Sequence, residues 1–267
     1  MELFILIAFG AIGGFISGLL GVGGGIIYVP VLTSVLALYG IDDPELAKFI
    51  LANSFAATFF AGAISSYKQF KLNSFFPRQI FLTALIAIPS SLGISYLITQ
   101  GTWYNKQSFS IFFIFILLLM LLRFLTSKKS DVALEENPEN YKFSITGALT
   151  GIVSALSGLG GGVIMVPLFT QFVKIDIKKA ASISIGVIPV MMVPMILYYG
   201  GQHPSYVHSS YQIGYLLPTI FGPLIAGLLF AAPIGVSVGK KASPKFLKII
   251  FASLIVVVII KTLLNLV

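Results

Sequence analysis

Two glycine runs are the residues of this chain best placed to do chemistry. Gly21-Val22-Gly23-Gly24-Gly25 and Gly158-Leu159-Gly160-Gly161-Gly162 stand 137 residues apart, each inside apolar sequence. A helix stopped by glycines and then restarted leaves free backbone N–H groups at the start of its second half. Such an end attracts anions through hydrogen bonds and the helix dipole. Gly25 and Gly162 immediately precede IIYVP and VIMVP, so both restarted segments would aim their N-termini at this spot. The chemistry implied is backbone capture of an anion by Gly23, Gly24 and Gly25 together with Gly160, Gly161 and Gly162. The competing reading is that small residues only let helices approach closely in lipid. Three consecutive glycines exceed what packing requires. Neither run is a nucleotide loop, because no Lys-Ser/Thr follows and no strand precedes.

Short polar side chains recur at matching places beyond each run. They are Asn53 and Ser54 in KFILANSFAAT, and Ser182 and Ser184 in KKAASISIGVIP, where an offset of 130 matches Lys48 with Lys178 and Ser54 with Ser184. They could complete a shell around substrate oxygens or simply bond helices to one another. Pro30 and Pro167 follow the runs by five residues, as kinks or as a means of freeing carbonyls. All nine acids (Glu2, Asp42, Asp43, Glu45, Asp131, Glu135, Glu136, Glu139, Asp176) fall at predicted ends or loops. Carboxylates within a membrane mark proton relays and cation sites; their absence argues against a cation pump and suits an anion. His203 and His208, five apart beside a proline, are poor metal ligands and read as loop residues. Cysteine is absent. No Ser/His/Asp set, carboxylate pair or metal cluster falls within an apolar segment, so the chain reads as a non-enzyme with no cofactor and no metal.

The elements that must position these residues are membrane helices. The chain is 57% hydrophobic and 10% charged, with mean hydropathy +0.99, against about 25% charged in soluble proteins. Apolar runs cover 108–122, 213–238 and 246–260, and long uncharged runs read as transmembrane helices. The alternation of an outer-membrane barrel is missing. The net charge of +8 comes from lysines at the ends of apolar runs, where the positive-inside rule puts them. That excludes nucleic acid and leaves the lipid bilayer and a small anionic substrate as partners, with homo-oligomerisation open. The N-terminus has no basic region or cleavage site and reads as mature sequence. Helical segments are expected at about 3–20, 26–39, 46–66, 78–99, 108–126, 143–159, 163–173, 178–199, 213–238 and 246–266. Trp103, Tyr104 and tyrosines 198, 199, 206, 211 and 215 are expected at the outer interface as an aromatic belt.

Length and charge set the topology. Residues 3–39 as one helix would span about 55 Å and residues 143–173 about 46 Å, too long for a hydrocarbon core of about 30 Å. Each is expected to be a hairpin that turns at its glycines. Fourteen of the 17 basic residues lie in 67–78, 123–142, 174–179 and 239–248. Placing all four regions in the cytoplasm puts both termini and loop 200–212 outside. Each half then holds one hairpin and three crossings, an odd number, so the halves are inverted. The expected fold is an all-α polytopic membrane protein of two inverted-topology repeats. Each is a glycine-broken helical hairpin plus three transmembrane helices. The first repeat covers 1–126, a polar cytoplasmic linker 127–141 and the second repeat 142–267.

Residues 10–32 and 147–169 agree at twelve of 23 positions. Both end in GGG-x-I-x-VP and are followed by the Asn-Ser or Ser-rich segment. With these phrases the whole chain resembles the TauE/SafE family of exporters and permeases for sulfite, sulfonates and related organic anions. The resemblance implies a secondary transporter of such anions in a prokaryotic plasma membrane. The expected function is alternating access of a small oxyanion, sulfite or an organosulfonate, around a central site built from the two broken helices. The alternatives are an anion channel, a carrier of a non-sulfur anion such as a carboxylate, and a membrane subunit that transports nothing.

Overall fold

The computed structural model describes residues 2–41, 45–101, 103–126, 138–205, 207–208 and 210–264. Ten helices run through them: α1 (Glu2–Leu20), α2 (Gly25–Leu38), α3 (Leu46–Lys71), α4 (Pro77–Gln100), α5 (Lys106–Thr126), α6 (Asn140–Ser157), α7 (Gly162–Gln171), α8 (Ile177–Gly200), α9 (Pro218–Lys241) and α10 (Pro244–Leu264). Among the described residues there is no strand, only an isolated bridge between Ile213 and Leu216. Six helices, α1, α3, α4, α8, α9 and α10, contain stretches long and apolar enough to cross a membrane. The chain is a polytopic helical membrane protein.

The two long apolar stretches break where glycine permits it. Gly21, Gly23 and Gly24 have φ of +74°, +84° and +71°, and Gly158, Gly160 and Gly161 have +71°, +74° and +80°. Side-chain-bearing residues avoid this left-handed region. Gly24 and Gly161 are the N-caps of the restarted helices. At 14 and 10 residues, α2 and α7 extend only about 21 and 15 Å, short of a crossing.

The halves interlock through close backbone approach. An added Cβ would stand 2.1 Å from the Leu224 carbonyl oxygen at Gly10 and 1.9 Å from that of Ile7 at Gly227, so α1 and α9 meet nearly backbone to backbone. The counterpart helices α6 and α4 do the same: a Cβ at Gly147 would lie 2.2 Å from the Thr83 oxygen, and one at Gly151 would lie 2.4 Å from that of Ala87. Such small-residue seams are how helices associate where lipid offers no hydrophobic drive.

Contacts at the helix ends fix direction. Glu45, just before α3, meets Ser205 and Tyr215, whereas the far end of α3 meets Lys240, which donates to the Leu72 carbonyl at 2.9 Å. The start of α8 is also at Lys240, because Lys178 donates to its carbonyl at 2.8 Å. Helices α3 and α8 therefore run in opposite directions. Lys48, near the start of α3, donates to Thr99 O at the end of α4 at 3.2 Å. Lys178 makes the corresponding contact to the end of α9, at the other end of the bundle. Lysine on terminal carbonyls satisfies groups that a helix leaves unpaired. One end is thus lysine-rich, and Arg78 joins it to Asn140 at 3.3 Å.

Two expectations change. The helix expected from 213 begins at Pro218. Residues 213–217 are apolar but form a turn, with Ile213 and Leu216 exchanging backbone bonds of 3.0 and 2.9 Å. The aromatic belt is only partly that. Trp103 and Tyr211 are exposed, but Tyr104, Tyr199 and Tyr215 are buried core residues, with the Tyr104 hydroxyl donating to Leu156 O. Tyr206 and linker residues 127–137 lie outside the described residues, and α6 already begins at Asn140.

Candidate anion site

The two glycine loops face each other and are held by the opposite half. Ser54 on α3 donates to Gly158 O at 2.7 Å, and Ser184 on α8 donates to Gly21 O at 2.7 Å. Gly25 and Gly162 sit under the opposite loop's backbone. A Cβ at Gly25 would lie 2.7 Å from Gly158 O, and one at Gly162 would lie 2.5 Å from Gly21 O. These two glycines are therefore required for close approach of the loops.

Between the loops stands Thr58. Its methyl group would be 3.1 Å from a Cβ on Gly23 and 2.4 Å from one on Gly160. Thr150 approaches Gly161 in the same way at 2.4 Å, and the Tyr28 ring approaches Gly24 at 2.7 Å. Among the described residues, the hydroxyls of Ser17, Tyr28, Thr58, Thr150 and Ser154 are buried with no hydrogen-bond partner. The amides of Gly23, Gly24, Gly160 and Gly161 also meet no acceptor there. Buried polar groups without partners are uncommon and costly. Thr58, Thr150 and Tyr28 stand against the loops, and Ser17 and Ser154 lie in the helical turns that lead into them.

The candidate side chains divide by use. Asn53 is fully engaged: Nδ2 donates to Phe49 O (2.8 Å) and Tyr215 O (3.0 Å), and Oδ1 accepts from Leu217 N (2.8 Å). It ties α3 to the turn before α9. Ser54 and Ser184 set the loops' shape. Ser182 follows Ala181, which packs on Gly21, and lines a cavity with Lys178, Lys179 and Lys240. Ser17, Tyr28, Thr58, Thr150 and Ser154 were not singled out by sequence as site residues. For the serine pair the signal was present, since Ser17 and Ser154 are identical residues at the repeat offset. Thr58 and Thr150 have no such marker.

The acids whose side chains are described stay away from the loops. Glu45 accepts from Ser205 N (3.1 and 3.2 Å), Ser205 Oγ (3.2 Å) and the Tyr215 hydroxyl (3.0 Å). It does not cap its own helix. Burial and the Glu45 carboxylate push the Tyr215 phenol up, so it stays neutral and donates. Asp176 caps α8, accepting from the amides of Lys178 (2.8 Å) and Lys179 (3.4 Å). His203 is exposed, while His208 packs edge-on to Phe49. Among the described residues no group of three His, Cys, Asp or Glu could hold a metal.

Comparison with known proteins gives a family match over nearly the whole chain. The family model described as sulfite exporter TauE/SafE matches residues 6–262. A probable membrane transporter protein of Methanocaldococcus jannaschii is 28% identical over 254 residues, covering 94% of this chain and 91% of that one. One of Haemophilus influenzae is 29% identical over 275 residues, covering 99% and 100%. One of Bacillus subtilis is 24% identical over 280 residues, covering 97% and 96%.

Proposed function

The chain belongs to the TauE/SafE sulfite exporter family of membrane transporters, and from that premise we propose that it is a secondary transporter of a small oxyanion, sulfite or an organosulfonate. The observation that carries this is the set of unpartnered donors at the facing glycine loops. The amides of Gly23, Gly24, Gly160 and Gly161 and the hydroxyls of Ser17, Thr58, Thr150 and Ser154 can together surround an anion's oxygens. The starts of α2 and α7 add positive dipole ends. Ser54 and Ser184 would hold the loops in register rather than touch substrate. Gly25 and Gly162 would let the loops meet.

The inverted-repeat reading is supported by the opposite directions of α3 and α8 and by the paired contacts Lys48–Thr99 and Lys178–Lys240. Two halves interlocked around one site can rock against each other to expose it alternately. The four basic regions would lie in the cytoplasm. Flux measurement in liposomes tests this reading. Purified protein should carry sulfite or a simple sulfonate, saturating at low turnover. Channel-like flux that does not saturate, or no flux with any anion, would contradict it.

A further inference from the structure

A cavity of about 260 Å³ opens at the lysine-rich end of the bundle. Lys178 and Lys179 reach it from α8, Lys240 from α9 and Ser74 from the α3–α4 turn, with Ser182 and Gln69 completing its polar wall. We propose that this cavity is a second anion subsite, a vestibule that takes a small free oxyanion of the sulfite or sulfate type. The proposal extends the anion reading above to a place that reading does not include.

Three lysines line the cavity and, among the described residues, no carboxylate does. Lys240 is anchored by Leu72 O at 2.9 Å and Ser74 Oγ at 2.6 Å, and Lys178 by Lys240 O at 2.8 Å, so both charges are held in place by neutral acceptors. The Lys179 ammonium stands 5.5 Å from the Phe76 ring centroid. Asp176, the acid beside them in sequence, is turned to the amides of Lys178 and Lys179. A cleft of one sign with apolar walls concentrates counter-ions.

Gln69 is the second, independent sign of a ligand. It is only 5% exposed, it lines the cavity, and its side-chain oxygen has no partner. A half-turn of the amide presents either its donor or its acceptor to a guest. Gln69 also continues inward. Thr58, Ser65 and Gln69 lie on one face of α3 at helical spacing, and each has a buried side-chain polar atom without a partner. This line runs from the cavity to Thr58, which touches both glycine loops. At the repeat-equivalent positions α8 carries apolar Ile188 and Met195, and Tyr199, whose buried hydroxyl also has no partner and whose ring packs against Tyr215. On α3 all three positions are polar, and the line ends at the lysine-rich end of the bundle.

The absence of cysteine allows a direct test on the purified full chain in lipid-free detergent. Ser182→Cys is reacted with an anionic and a cationic methanethiosulfonate, each rate corrected by its rate with 2-mercaptoethanol. Ser74→Cys serves as a second reporter should the first variant not fold. The anionic reagent should be favoured roughly tenfold, and Lys179→Met should remove most of that preference, as expected for a focused field. Millimolar sulfate should slow the anionic reaction. No charge preference at either position would overturn the proposal. Protection by phosphatidylglycerol but not by sulfate would overturn it too, identifying a lipid headgroup site instead. Anion-induced thermal stabilisation in a Gly24→Val background separates the two readings. If it persists while the thiol assay shows no preference, both this subsite and the loop site are wrong. If it persists while the thiol preference stands, the vestibule holds and supplies the stabilisation; if it is lost, the vestibule takes up no anion and the proposal falls while the loop site is supported.

Discussion

Ser54 reaches across the repeat to donate to the carbonyl of Gly158 at 2.7 Å, and Ser184 returns the same bond to Gly21 at 2.7 Å. Each half thus shapes the glycine loop of the other. The left-handed glycines need an external partner to stay put, because a loop at membrane depth has no water to satisfy it. Substituting Ser54→Ala or Ser184→Ala leaves a buried carbonyl unpaired, which costs about 1–3 kcal/mol. The expected result is a lower melting temperature for each variant in detergent, with anion affinity falling because the loop loses its shape.

Gly24→Ala and Gly161→Ala should be far more damaging to binding than Gly93→Ala. The first two positions have φ of +71° and +80° and side chains within 2.7 and 2.4 Å of any new Cβ. Around Gly93 an added Cβ meets nothing within 4 Å. A left-handed alanine costs about 1–2 kcal/mol before any clash. Thermal-shift titration with sulfite would show loss of ligand stabilisation in the first two variants and none in the third.

Sidedness follows from the lysine-rich end. Cysteines at Lys71 and Glu139 should label with an impermeant reagent from one side, and a cysteine at Gln107 from the other. The contacts of Arg78 with Asn140 and of Lys240 with Leu72 place the first two together. Gln107 follows the opposite end of α4. Labelling of all three from outside intact cells would contradict the inverted arrangement.

Proton coupling through an acidic side chain is not expected. Glu45 latches the 201–217 segment through Ser205 and Tyr215, and Asp176 caps α8. Glu45→Gln should therefore speed hydrogen exchange in that segment while leaving pH-driven transport within a few-fold of wild type. Asp176→Ala should cost about 1 kcal/mol of stability as a lost cap. Uncoupling of uptake from a pH gradient in Glu45→Gln or Asp176→Asn would refute this assignment.

Much of the fold could be read from the sequence because membrane helices declare themselves by apolar length, and because only glycine tolerates the dihedrals at positions 21, 23, 24 and their counterparts. The site was legible in part. Matching offsets brought out Ser54 and Ser184, but a hydroxyl's partner is a tertiary fact, and theirs proved to be carbonyls of the opposite half. Asn53 looked like a ligand because polar residues are rare in apolar helices, yet its amide bonds Tyr215 and Leu217. Thr58 and Thr150 stayed hidden, since a threonine in an apolar helix usually bonds its own backbone. Residues 213–217 read as helix because hydropathy does not register a turn held by backbone bonds.

The most direct test of the account is equilibrium binding of sulfite to the purified protein by calorimetry, in wild type and in Thr58→Val and Ser17→Ala/Ser154→Ala variants that keep the wild-type melting temperature. The account predicts saturable binding that weakens about tenfold or more when these hydroxyls are removed, in line with about 1.5–3 kcal/mol for a hydrogen bond to a charged group. Unchanged affinity in both variants, or no binding of sulfite or any simple sulfonate by the wild type, would contradict it.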